Sequence, residues 1–215
     1  MRPERFRRLR EVLARRQPDL TVLMDRVNKP HNFSAIIRTC DAAGVLEAHV
    51  VDPAGALQLH NATSAGTKKW VSVRTHESVT RAIAQLRAAG FFVLAAHPAD
   101  DAVDYREVDY TRPIAITLGA ELHGVSEEAL ALADAHAVIP MVGMVHSLNV
   151  SVASSLLLFE ALRQRLAAGM YDTSRLPPAD FQARLFEWAY PTVAIARRAE
   201  GRPYPALDAD GQIIS

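Results

Sequence analysis

Three stretches of this 215-residue chain carry residue types at spacings that could do chemistry. The first runs from Asn28 through Lys29, Pro30 and Asn32 to Arg38, Asp41 and Gly44. Ile36, Ile37 and Cys40 fall on one helical face, which turns Arg38 to the other. A guanidinium presents a planar fork of N–H donors suited to a phosphate or a developing oxyanion. It could equally pair with Asp41 one turn on, with Asn32 capping the helix. The second stretch is Leu118-Gly119-Ala-Glu121-Leu-His-Gly124-Val-Ser126, behind an apolar run and ahead of a helix start. Glycines at such a turn admit a ligand close to the backbone. A dinucleotide fingerprint would need Gly where Glu121 stands, and a carboxylate there repels pyrophosphate but suits a cationic ligand. The third is Ile139-Pro-Met141-Val-Gly143-Met-Val-His146-Ser147-Leu148-Asn149-Val-Ser151. It is apolar yet broken by Pro140 and Gly143, and so reads as a buried irregular segment whose backbone groups could line a pocket.

The elements that must position these stretches follow from periodicity and punctuation. Phe6, Leu9 and Leu13 predict an amphipathic helix over 2–16, ended by Pro18. Strands are expected at 21–27, 48–51, 69–73, 91–96, 114–118 and 137–139. Helices are expected at 32–43, 77–89, 126–134 and 148–167, and a long loop at 53–68. Gly44, Gly90 and Gly169 stand where helices should stop. Strands alternating with helices imply an α/β fold whose parallel sheet is covered on both faces. The helix at 148–167 is apolar nearly all round and should be buried on more than one side, in part against a second subunit. The tail after Met170 holds five of the twelve prolines and reads as a short helix plus an extended strip.

Composition bounds the function. One cysteine, Cys40, leaves no intrachain disulfide and no cysteine-based zinc cluster, and suits a reducing compartment. No apolar run reaches the ~20 residues of a membrane span, and the opening MRPERFRRLR lacks the apolar core of a secretory signal. A soluble, intracellular protein is therefore expected. Gly-x-Ser-x-Gly, His-Glu-x-x-His and P-loop patterns are absent, and the eight histidines show no metal-ligand spacing, so no metal is expected and they read as structural or surface residues. The formal net charge is zero, yet residues 1–17 carry seven Arg against two Glu while the following body is acidic. Such segregation suits a polyanionic partner or a solvated helix face, and composition alone does not separate the two. Of 24 basic residues, only Lys29, Lys68 and Lys69 are lysines.

Taken together, the three stretches resemble the SPOUT superfamily of methyltransferases, and within it the TrmH-type tRNA (guanosine-2′-O-)-methyltransferase branch. Asn32, Arg38 and Gly44 match motif one, Gly119, Glu121 and Gly124 motif two, and Ile139-Pro-Met through Ser147, Asn149 and Ser151 motif three. The likeness runs from about residue 5 to 172 and resumes at Tyr190-Pro191 and Gly201-Arg-Pro-Tyr-Pro205. His146 stands where relatives often carry Gln, and Asn28 where they carry His.

The resemblance implies a parallel-sheet SPOUT fold with a C-terminal trefoil knot, flanked by N- and C-terminal helical extensions. It divides the chain into a basic N-terminal helix (1–18), a methyltransferase domain (19–169) and a C-terminal extension that contacts tRNA (170–215). It implies a cytoplasmic homodimer using S-adenosyl-L-methionine to methylate a ribose 2′-hydroxyl of tRNA, expected at guanosine 18, with no DNA or membrane partner. Ala96, Leu118, Gly119, Gly124, Ile139, Met141 and Leu148 would hold the cofactor. Arg38 would clamp phosphate and activate the hydroxyl, Asn32, Ser147 and Asn149 would orient it and the ribose, and Glu121 would fix the geometry of the Arg or the Asn residues. Arg7, Arg8, Arg10, Arg15, Arg16, Arg163, Arg165, Arg197, Arg198 and Arg202 would grip the RNA backbone. The competing expectations are a sister rRNA methyltransferase, whose members usually carry a separate N-terminal RNA-binding domain, a non-catalytic RNA-binding protein, and a nucleotide-binding oxidoreductase.

Overall fold

A computed structural model describes residues 1–52, 69–121 and 123–214; the loop expected over 53–68 lies outside the described residues. In chain order the elements are α1 (Pro3–Ala14), β1 (Leu20–Asp25), α2 (Pro30–Ala42), β2 (Glu47–Val51), β3 (Ser72–His76), α3 (Val79–Ala88), β4 (Phe92–Ala96), β5 (Val103–Asp104), β6 (Ile114–Leu118), α4 (Glu127–Leu132), β7 (Ala135–Val138), α5 (Val150–Ala167), α6 (Pro178–Ala189) and α7 (Pro191–Ala199). They fall into two compact units, residues 18–168 and a second made of residues 1–17 with 169–215.

In the larger unit the strands form one parallel sheet in the order β3-β2-β1-β6-β4-β7-β5. The period of two sorts its side chains even where the whole strand is buried. Val22, Met24, Leu94, Ile116 and Leu118 face α2 and α5, against Phe33, Ile36, Ile37, Leu157 and Ala161. Leu23, Val93, Ala95 and Ala115 face α3 and α4, against Ala82, Ile83, Leu86 and Ala129. Helices thus cover both faces, as the strand–helix alternation predicts. In open sheets of this kind ligands bind beyond the carboxyl ends of the strands. Here β6, β4 and β7 are neighbours, and their carboxyl ends run directly into the second stretch, Ala96-His97 and the third stretch.

Several boundaries differ from expectation. The helix expected from Asn32 begins at Pro30, whose fixed φ and missing N–H suit a first helical position; Asn32 therefore lies inside the first turn and does not cap it. The strand expected at 69–73 is formed by Ser72–His76, and its Arg74 and Thr75 are exposed. Pairing with β2 sets the register of this edge strand, not an apolar pattern. The two-residue β5 has no periodicity to read.

Arg165 was expected to meet RNA, and the structure overturns this. It is fully buried in α5, donating Nε–H to the Tyr110 carbonyl at 2.8 Å, Nη1–H to Asp19 Oδ1 at 2.6 Å, and Nη2–H to the Asp19 and Arg112 carbonyls at 3.1 and 2.9 Å. These bonds tie α5 to the start of β1 and the segment before β6. Fully buried and held by these four bonds, the guanidinium is out of reach of a phosphate.

In the smaller unit α1 buries Phe6, Leu9 and Leu13, as their spacing predicts, and packs on α6. Arg16, also expected to contact RNA, is 1% exposed, with its guanidinium 5.4 Å from the Trp188 ring centre; its place is the interior. The tail forms two helices where one and a strip were expected, because Pro178 and Pro191 sit at helix starts. Gly211 has φ +80°, and a Cβ there would lie 2.3 Å from the Phe6 ring, so the terminal turn requires glycine.

Candidate functional site

A cavity of about 540 Å³ opens beyond the carboxyl ends of β4, β6 and β7. All seven residues expected to hold the cofactor line it: Ala96, Leu118, Gly119, Gly124, Ile139, Met141 and Leu148. Glu121 and Ser147 line it too. The volume lies within the range of small-molecule sites. Apolar walls from Ala96, Leu118, Ile139 and Leu148 suit a flat heterocycle. No Lys or Arg is among its lining residues, and Glu121 supplies a carboxylate. A sulfonium ligand with an adenosyl group fits such a lining.

The turn at Gly119–Gly124 is closed on itself. Ala120 and Gly124 exchange both backbone hydrogen bonds, at 2.9 and 2.8 Å. A Cβ on Gly119 would stand 1.9 Å from the Gly124 carbonyl carbon. The first glycine is thus required by the turn's own backbone, and it also lines the cavity. Gly124 has φ +64°, and the His97 ring packs over it, 3.6 Å from where a Cβ would be.

Glu121 gathers the polar residues of all three stretches. Its Oε1 accepts from Asn32 Nδ2 at 2.7 Å and from Asn149 Nδ2 at 2.6 Å, and its Oε2 accepts from Lys29 Nζ. Asn149 Nδ2 also reaches Asn32 Oδ1 at 3.2 Å, while Asn149 Oδ1 caps α5 through Ser151 N and Oγ. The Lys29 ammonium, then the Asn32 amide, hold the Glu121 carboxyl below the usual carboxylate range. Of the two roles open to Glu121, the structure has it hold the asparagines.

Arg38 projects exposed from α2, makes no ion pair among the described residues, and is not among the residues lining the cavity of the single chain. Its neighbour Thr39 places Oγ1 3.2 Å from Ser155 Oγ on α5. The bend before α5 is not the buried segment expected: Val142, Met144 and Val145 are 106%, 93% and 60% exposed. They continue into an exposed apolar stripe of α5 at Val152, Leu156 and Phe159.

Two kinds of residue escaped sequence reasoning. Lys29 carried no assignment, although a lysine in a chain this rich in arginine was a usable signal. His97, His123 and His146, read as structural or surface residues, line the cavity, and no local spacing linked them. Among the expected RNA contacts, Arg10 and Arg15 are exposed and Arg197 half-buried. The exposed Arg7, Arg8, Arg163, Arg198 and Arg202 pair with Glu4, Glu11, Glu160, Glu187 and Glu200 respectively.

Comparison with known proteins adds a second line. Residues 19–159 match the SpoU rRNA Methylase family, and residues 163–215 the C-terminal family of SpoU rRNA methylases. The chain is 53% identical over 215 residues to the tRNA (guanosine(18)-2′-O)-methyltransferase of Escherichia coli K12, covering 99% of this chain and 94% of that protein. It superposes on the crystal structure of the Aquifex aeolicus TrmH/SpoU tRNA modifying enzyme with a TM-score of 0.80 at 41% identity, covering 88% of this chain and 97% of that one. The SpoU methyltransferase AviRb of Streptomyces viridochromogenes, solved with the cofactor AdoMet, is similar at a TM-score of 0.60 and 29% identity, over 70% of this chain and 62% of that one.

Proposed function

The chain belongs to the SpoU rRNA methylase family, and we propose that it methylates the 2′-hydroxyl of guanosine 18 in tRNA, with S-adenosyl-L-methionine as methyl donor. The observation that carries this reading is the cavity itself, where seven residues from three strand ends and the start of α5 meet with no Lys or Arg in the lining and with Glu121, bonded by Lys29, at the wall. Backbone groups of Gly119, Ala120, Gly124, Ile139 and Met141 would hold the cofactor, with Leu148 on the apolar wall. Bound there, S-adenosyl-L-methionine supplies an electrophilic methyl group.

A neutral ribose hydroxyl is a weak nucleophile, so its proton must leave as it attacks. An Arg side chain stays protonated in proteins and does not serve as the base. Arg38 instead grips the target phosphate and stabilises the developing alkoxide, while the proton passes to a phosphate oxygen or to water. Asn32 and Asn149, held by Glu121, orient the ribose together with Ser147.

A homodimer completes the site. The exposed apolar residues of the 142–145 bend and the α5 stripe Val152, Leu156 and Phe159 are the surface that a second copy would cover. Arg38 is exposed and adjoins Thr39, which meets Ser155 of α5. The trefoil threading implied by the family belongs to the same reading. Arg7, Arg8, Arg10, Arg15, Arg163, Arg197, Arg198 and Arg202 are its RNA contacts, with the extension after residue 170. Among the described residues no helix is long and apolar enough to cross a membrane, and a tRNA substrate assigns the enzyme to the cytoplasm.

The test is to incubate the protein with an unmodified tRNA transcript and the methyl donor, then map the product by nuclease digestion and mass spectrometry. One methyl on the ribose of guanosine 18 is expected. Methylation of rRNA in preference to tRNA, or of a base in place of a ribose, would overturn the assignment.

A further inference from the structure

We propose that Lys29 is a positioning residue for methyl transfer: its ammonium takes one oxygen of Glu121 and so reserves the other for the two asparagine amides. The proposal rests on the methyl-transfer reading above. Lys29 precedes Pro30, and a residue before proline is driven out of the helical region; its φ −80° and ψ 119° are extended. This geometry places its side chain at the head of α2, beside the 119–124 turn. The result is a division of labour on one carboxylate, with Lys29 on Oε2 and Asn32 and Asn149 on Oε1. Through those three side chains the start of α2, the cavity turn and the N-terminus of α5 are set relative to one another.

The choice of lysine is itself informative. The chain uses Arg at 21 of its 24 basic positions. A guanidinium at 29 would engage the carboxylate side-on through both oxygens, displacing the amides from Oε1. An ammonium is a point charge and occupies one oxygen. Charge alone is therefore not the requirement; single-oxygen contact is.

The test compares wild type with Lys29→Gln, Lys29→Met and Lys29→Arg. Steady-state methyl transfer to tRNA is paired with calorimetric binding of S-adenosylhomocysteine and with ¹H–¹⁵N spectra of the Asn32 and Asn149 side-chain amides. All three variants are expected to lose at least tenfold in kcat, with KM for tRNA and the S-adenosylhomocysteine Kd within threefold of wild type. Lys29→Arg should not rescue, and the two amide signals should shift in every variant. Wild-type kcat in Lys29→Arg would overturn the proposal, because charge would then suffice. A raised KM with unchanged kcat would also overturn it, making Lys29 a phosphate contact. Unmoved amide signals would do the same without reference to activity. The amide spectra report the network even if wild type transfers no methyl to tRNA, so failure of the functional reading is separable from failure of this one.

Discussion

Arginines that look alike in the sequence act on different quantities. Arg165→Gln leaves the Asp19 carboxylate and three backbone carbonyls without their buried donor. Breaking a buried pair in this way costs about 3–5 kcal/mol. Urea denaturation should show that loss, with the tRNA affinity of the folded protein unchanged. Arg10→Ala combined with Arg15→Ala should weaken tRNA binding and leave the urea midpoint alone, since both side chains are exposed. An Arg165 variant that keeps its stability and loses tRNA would restore the expectation the structure overturned. At this scale the turn beyond β6 was legible, because glycines at fixed offsets behind an apolar run announce it; the assignment of cofactor residues came from the family resemblance and not from spacing. The contacts of Glu121 were not: Lys29, Asn32 and Asn149 come from up to 92 residues away, and no local period encodes such a meeting. The burial of Arg16 and Arg165 was equally hidden, since composition counts charges and not their depth.

Between β2 and the edge strand β3 lies a titrating pair. His49 Nδ1 is 2.8 Å from His76 Nε2, the rings are stacked with centres 5.1 Å apart, and the residues are 7% and 6% exposed. Glu47 and Arg74, paired with each other at 3.0 Å, complete the charged surroundings. Burial first, then His76 and Arg74, push His49 down to about 4 from 6.5. Burial and Arg74 also lower His76, partly offset by Glu47. With the folded-state value depressed, the unfolded chain binds more protons between these limits, so stability rises with pH across that window. Acidification from pH 6.5 to 4 should remove about 3 kcal/mol through His49 alone. Urea unfolding at a series of pH values should show this slope in wild type and a flatter one in His49→Gln; equal slopes would remove the pair as its source. Most elements were legible from periodicity and stop signals. Those that were not are the edge strands, where pairing with a neighbour outweighs pattern, and the tail, where Pro178 and Pro191 start two helices in place of the one helix and strip expected.

For the whole molecule, the proposed dimer through the α5 stripe and the bend before it would make the site's completion depend on assembly. Phe159→Glu places a charge on the exposed stripe and should convert a dimer to monomer in sedimentation analysis, with methyl transfer lost and the melting temperature of the larger unit little changed. A monomeric wild type that is fully active would refute the dimeric site. The alternation of strands and helices made the α/β sheet legible; the joining of both chain ends in one unit was not, because it depends on α1 meeting α6 across the whole length of the sequence. The account depends above all on the planar guanidinium of Arg38. Single-turnover methyl transfer by Arg38→Lys, with tRNA and S-adenosyl-L-methionine saturating, tests it most directly. Loss of a charge-assisted, two-pronged contact worth about 1.5–3 kcal/mol predicts a rate roughly 10- to 150-fold below wild type. A lysine variant within threefold of the wild-type rate would contradict it.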